Sequence, residues 1–187
     1  MIEALKPKRG GSIRPFGCAW FIREFLLGKR PVGSPPIDPH VGATQTEIHR
    51  AYKEALHRAW AEHMVALEEE ARMRKGLPTL THEEAEVLTM HYLERIPYRL
   101  SKMRYASFTR YFSHLKRLGY VEETGREEPS IIQDSYPPAP PRRYYRLTEA
   151  GRKATEAELA DPITTLYQYP RDKRSAKKRY YPSGKPG

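Results

Sequence analysis

Cysteine is nearly absent: Cys18 is the single one in 187 residues. That excludes an intramolecular disulfide and any zinc site built on several thiolates, and leaves the expectation of a buried or half-buried thiol in a reducing compartment. Long apolar runs are missing too. The longest, CAWFI at 18–22, is far short of the roughly 20 residues that span a bilayer, and no signal-peptide pattern opens the chain. There is no glycine-rich phosphate loop and no HExxH, since HEEAEVLTMH at 82–91 has the wrong spacing for a zinc helix. No serine or cysteine stands in a nucleophile context. Glu68–Glu70 read as a solvated helix face rather than a metal site. The expectations are therefore no enzyme activity, no catalytic residue, no metal, no cofactor and no membrane partner, with a cytoplasmic location (nucleoid-associated in a prokaryote).

Charge is what the chain has in excess. Its formal net charge is +10, and residues 1–30 contribute +5 while residues 168–187 contribute +6, leaving −1 for the middle. Basic ends on a balanced centre suit a polyanion, or serve solubility alone.

Composition divides the chain into four parts. Residues 1–15 read as a basic, flexible arm rich in Gly and Pro, with Lys8 and Arg9 as polyanion contacts. Residues 16–78 read as a helical extension. It holds a short buried helix at Phe16–Leu27, a segment at 28–43 with four prolines and three glycines that is a linker or an ordered loop, and a long helix from about Thr44 to Lys75. Thr44 or Thr46 caps that helix, and Gly76 and Pro78 close it. Its stripe of Ile48, Tyr52, Ala55, Leu56, Ala59, Trp60, His63, Met64, Leu67 and Ala71 at steps of three and four needs a cover. The cover is either a second copy, which makes helix 44–75 a homodimer seam, or the helix at Phe16–Leu27. Residues 79–160 form a third part, and 161–187 a basic, tyrosine-rich tail whose contacts are Arg171, Lys173, Arg174, Lys177, Lys178 and Arg179. Such a tail either orders along a nucleic acid or adds affinity without fixed contacts.

The third part reads in order. A helix follows the cap-like Thr81, with Ala85, Leu88, Tyr92 and Leu93 on one face. Pro97 opens a short second helix, PYRLSKM, and Ser107 caps a third, Phe108–Leu118, closed by Gly119 in the left-handed region. YVEET and RRYYRL are strand candidates on either side of a proline-rich loop at 125–141, and Thr148 caps a last helix, TEAGRKATEAEL. SFTRYFSHLKRLGYVEE followed by RRYYRLTEAGRKA resembles the MarR-like and PadR-like winged helix-turn-helix regulators. Gly119, Tyr120 and Val121 match one signature, and Tyr145, Leu147, Thr148 and Gly151 the other. The chain differs from them in a turn, RYAS, without glycine and in a longer, more proline-rich wing loop. The resemblance implies a mainly α (α+β) fold, a winged helix over about 79–160, and DNA as the partner, with RNA open.

On the third helix, Phe108, Tyr111, Phe112, Leu115 and Leu118 gather on one side. Ser107, Arg110, Ser113, His114 and Arg117 gather on the other, the split a major-groove helix needs. Arg110, in the first turns, is the first choice for a base contact, while Lys116 suits phosphate. Arg104 belongs to a window from Arg95 to Arg117 with seven basic residues and no acid. Tyr98 and Tyr105 stack on sugars or belong to the core. At the wing, Arg142 and Arg143 grip the duplex, because the loop before them carries Glu127, Glu128 and Asp134. The function expected is a DNA-binding transcriptional regulator. The alternative is a structural winged-helix subunit of a nucleoprotein assembly, and a ligand-sensing regulator stands third because no convergent polar set marks a pocket.

Overall fold

A computed structural model describes residues 15–95, 103–130 and 140–168. The protein is mostly helical, with a small three-stranded antiparallel sheet, an α+β fold. Helix α1 (Cys18–Leu26) follows Phe16 and buries Cys18, Phe21, Ile22, Phe25 and Leu26. The proline-rich segment is an ordered loop, and its last residue, Ala43, opens strand β1 (Ala43–Thr44), which the sequence pattern did not reveal. Helix α2 (Gln45–Arg74) starts at Thr44 through a capping box. The Thr44 amide donates to Glu47 Oε2 at 2.8 Å, and the Glu47 amide donates back to Thr44 Oγ1.

Gly76, at φ +71, ends α2, and helix α3 (His82–Arg95) turns back beside it. Thr81 caps α3 as expected, accepting from the Glu84 amide. Helix α4 spans Tyr105–Arg117, beginning earlier than expected. Arg104 is the N-cap, and Ser107 lies in the first turn with its amide donating to the Arg104 carbonyl. Gly119 takes φ +73 after α4, as expected.

Strand β2 (Val121–Glu128) runs four residues beyond YVEET, taking in what the sequence placed in a loop, with a bulge between Glu123 and Glu127. Strand β3 is Arg142–Leu147. It lies in the middle of the sheet, in the order β1-β3-β2, pairing Ala43 with Tyr145 and Val121 with Leu147. The single helix expected after Thr148 is instead two, α5 (Glu149–Lys153) and α6 (Glu156–Ala160). Ala154 breaks it in an extended conformation, and Thr155 starts the second with its own capping box. Helix α7 (Pro162–Gln168) packs on α4.

One core joins α1, the first half of α2, α4, the sheet, Ala154 and Leu159. It crosses the boundary expected near residue 78, while α3 contributes no buried residue to it. Ile48, Ala51, Tyr52, Ala55 and Leu56 of α2 are buried here, so intrachain packing covers the first half of the long stripe. The expected short helix at 97–103 lies outside the described residues except for Met103, which is buried. No helix among the described residues is long and apolar enough to cross a membrane.

Candidate nucleic-acid interface

Packing sets the orientation of α4. Phe108, Phe112 and Leu115 are buried, with Tyr111 and Leu118 half-buried beside them, and the Phe112 ring meets Tyr145 edge-on at 4.8 Å. At its N-terminal end, His49 of α2 hydrogen-bonds the Met103 carbonyl through Nε2 at 2.7 Å and packs its ring on Tyr105 and Phe108. Because one side is held so firmly, the opposite side is committed to solvent. Arg104, Ser107, Arg110, Ser113 and Arg117 are all exposed. Among the described residues, none of the three arginines has an ion-pair partner. His114 departs from the expected outward face. It is half-buried, and its Nδ1 is enclosed without a hydrogen-bond partner among the described residues.

The remaining expected cations among the described residues are engaged. Lys116 Nζ binds Glu123 at 2.8 Å and lies over the Tyr145 ring. Arg143 reaches both Glu123 at 3.1 Å and Glu127 at 3.0 Å, and Arg142 pairs with Glu128 at 3.3 Å. Arg146 pairs with Glu122 on the same hairpin. The sequence pattern places Glu127 and Glu128 in the loop before the arginines. Strand pairing brings Glu127 opposite Arg143 and Glu128 opposite Arg142, which neutralises the expected grip. Lys8, Arg9, Arg171, Lys173, Arg174, Lys177, Lys178, Arg179 and Tyr98 lie outside the described residues.

The structure adds a feature that the pattern did not single out. A cleft of about 320 Å³ opens where the start of α2 (Thr44, Gln45, Thr46), Tyr105 of α4 and the Arg142–Arg143 pair converge. Two helix N-termini meet there, each carrying roughly half a positive charge. The local signal was the Thr44–Glu47 capping box, which marks a helix start but not what lies next to it.

The hairpin's ion pairs shift its titrations. The hydrogen bond from Lys116 holds the Glu123 carboxyl below its ordinary range, with Arg143 adding to it against some desolvation. Tyr144 O–H does the same for Glu128, and the Lys116 ammonium is pushed up by Glu123. A lowered carboxylate contributes stability that is present above its ordinary value, near 4.5, and is lost as pH falls through the lower folded value. The raised Lys116 contributes stability below about 10.5 that is lost as pH rises through its higher folded value. Thermal melting is thus expected to be flat across neutral pH and to drop below about pH 4.5. Glu123→Gln should shrink that acid-side drop, and an unchanged profile would mean the pairs do not form in solution.

No metal-binding cluster of three His, Cys, Asp or Glu occurs among the described residues. Compared with known proteins, the chain matches no family model, no curated protein and no solved structure.

Proposed function

We propose that this protein binds duplex DNA through the exposed face of α4, in a winged helix-turn-helix built from α1, β1, the start of α2, α4 and the β2–β3 hairpin. On this reading α3 and the far half of α2 are an insertion between the second and third helices. The single observation that carries it is the polarity of α4: Phe108, Phe112 and Leu115 in the core, Arg110 and Arg117 opposite them, and Arg104 exposed at the N-cap, the three arginines without acidic partners among the described residues. Donors on that face can reach guanine edges and phosphates while the buried face anchors the helix.

Two further features support it. The sheet order β1-β3-β2, with α2, α3 and α4 between β1 and β2 in the chain, fits the winged-helix arrangement once α3 is counted as part of the insertion. The two halves of the signature also meet: Thr148 donates through its amide to the Tyr120 carbonyl at 3.1 Å and through Oγ1 to the Gly119 carbonyl. Gly151 lets α5 lie against the Tyr120 carbonyl, where a Cβ would collide. Bulk affinity is assigned to the basic ends. The wing arginines play a lesser part than the sequence suggests, since their acids already hold them.

The test is duplex affinity against salt. Two phosphate contacts, from Arg104 and Arg117, give a slope of log K on log salt of about −1.8, and the tails steepen it. An affinity that hardly changes between about 50 and about 200 mM salt would sink the reading. Selection from a random duplex pool then separates specific from architectural binding.

A second reading, a structural subunit of a nucleoprotein assembly, draws on the hairpin, whose paired charges suit a protein surface better than phosphate. Binding of structured RNA or a co-purified protein in preference to duplex DNA would favour it.

A further inference from the structure

The far half of α2 and all of α3 form a helical hairpin outside the core. Ala61 and Val65 of α2 are buried in it, yet α3 buries none of its fourteen residues. Among the described elements, α2 is the one substantial neighbour of α3. A helix this short is marginal in water without a packed face.

The hairpin instead shows solvent an apolar surface. Met64 is 37% exposed, Leu67 44%, Met90 61% and Val87 71%. Scattered exposed apolar residues are ordinary, but these fall in two neighbouring i,i+3 pairs, Met64–Leu67 on α2 and Val87–Met90 on α3. On α2, His57, Trp60, Met64, Leu67 and Ala71 follow at alternating steps of three and four, the heptad spacing of a helix packed along another. Met64 and Ala71 flank Glu68 on the helix surface, four and three residues away. Glu68 in turn lines a groove of about 590 Å³ between the helices, whose apolar lining is Leu80, Val87 and Leu88.

We propose that a second copy of this chain covers this face, hairpin against hairpin and antiparallel, closing a four-helix bundle with Met64 near the two-fold axis. This narrows the seam expected along helix 44–75 to its far half and adds α3 to it, since the first half is spent on the core. The heptad spacing calls for a partner helix of the same pitch, which a second α2 supplies.

Area agrees. His57 to Arg74 spans roughly 27 Å, and two helices side by side are roughly 20 Å wide. That gives roughly 1,100 Å² buried over both partners, just above the ~1,000 Å² a specific interface needs.

Charge sets the direction. At the tip of the hairpin the six acids Glu68, Glu69, Glu70, Glu83, Glu84 and Glu86 outnumber Arg72, Arg74 and Lys75, whereas at its base Arg58 and Arg95 balance Glu62 and Glu94. A parallel pairing would bring the acidic tips together, and the antiparallel one sets each tip on the partner's base. The same acids disfavour an anionic lipid or a nucleic acid as the occupant.

Sedimentation of the full chain without nucleic acid tests this, so its outcome is separate from DNA binding. The wild type should convert from monomer to dimer at micromolar concentration. Leu67→Glu with Val87→Glu should remain monomeric at ~100 μM with an unchanged circular dichroism spectrum. Met73→Glu, about 180° around α2 from Met64, should dimerise like the wild type. Because the double variant can fail to fold, a second arm uses Met64→Cys in the otherwise unchanged chain, whose own Cys18 is buried. Oxidation should link Met64→Cys into a dimer and leave Met73→Cys monomeric. A wild type that is monomeric at ~100 μM, or a Met64→Cys protein that links no better than Met73→Cys, overturns the proposal.

Discussion

Replacing Arg110 and Arg117 together by alanine is expected to weaken duplex binding roughly thirty- to a thousand-fold while leaving the fold intact. A bidentate base contact from Arg110 contributes about 1–3 kcal/mol, and a phosphate contact from Arg117 about 1 kcal/mol more. Together they make about 2–4 kcal/mol, with each tenfold change in affinity worth about 1.4 kcal/mol. The salt slope should also flatten by about 0.9, because the phosphate contact of Arg117 releases counterions while the base contact of Arg110 does not. Stability should change by under about 0.5 kcal/mol, since both side chains are exposed and have no ion pair among the described residues. Unchanged binding in a folded double variant would remove α4 from the interface.

The contrast with the hairpin makes this result informative. Arg143→Ala should weaken binding only a few-fold, because Glu123 and Glu127 already occupy its guanidinium. Losing it also leaves two carboxylates facing the duplex, so part of even that small effect is new repulsion. If Arg143→Ala costs as much as the α4 pair, the hairpin opens its ion pairs on binding and grips after all.

Gly42→Ala is expected to destabilise the protein by about 2–5 kcal/mol. Gly42 holds φ +76, a left-handed conformation that costs an L-residue about 1–2 kcal/mol. A Cβ there would also be driven into the Tyr145 carbonyl, a backbone atom of the central strand that cannot rotate aside. Overpacking of that kind adds about 1–3 kcal/mol. For a chain of this size each kcal/mol lowers the melting temperature by about 2–4 °C, so a fall of roughly 5–20 °C is expected. Gly76→Ala is the control. It has a similar φ of +71 but nothing near its would-be Cβ, so only the strain is felt. Equal effects in the two variants would mean that β1 does not dock on β3 in solution. The consequence reaches the interface, because Thr44, which caps α2, is the residue that pairs with Tyr144.

Local pattern alone determined much of this molecule. The apolar spacing of α1, α2 and α4, the caps at Thr44, Thr81 and Thr148, the left-handed Gly119 and the RRYYRL strand all rest on interactions within a few residues. The division of α4 into an inward aromatic side and an outward basic one is of the same kind, since it follows from the 3.6-residue repeat.

What the pattern left open depends on partners distant in sequence. Ala43–Thr44 becomes a strand only because Tyr144 and Tyr145, about a hundred residues later, supply its hydrogen bonds. Arg142 and Arg143 looked available because the acids that hold them are separated from them by the whole loop, and pairing β2 with β3 closes that distance. His114 turned partly inward, although at ~100° per residue it belongs with the outward set. The long stripe of α2 could be read as one seam, yet α1 and α4 cover its first half and leave only the second. A helix's period says which residues share a face. Which part of that face is covered, and by what, is decided by the rest of the chain folding onto it.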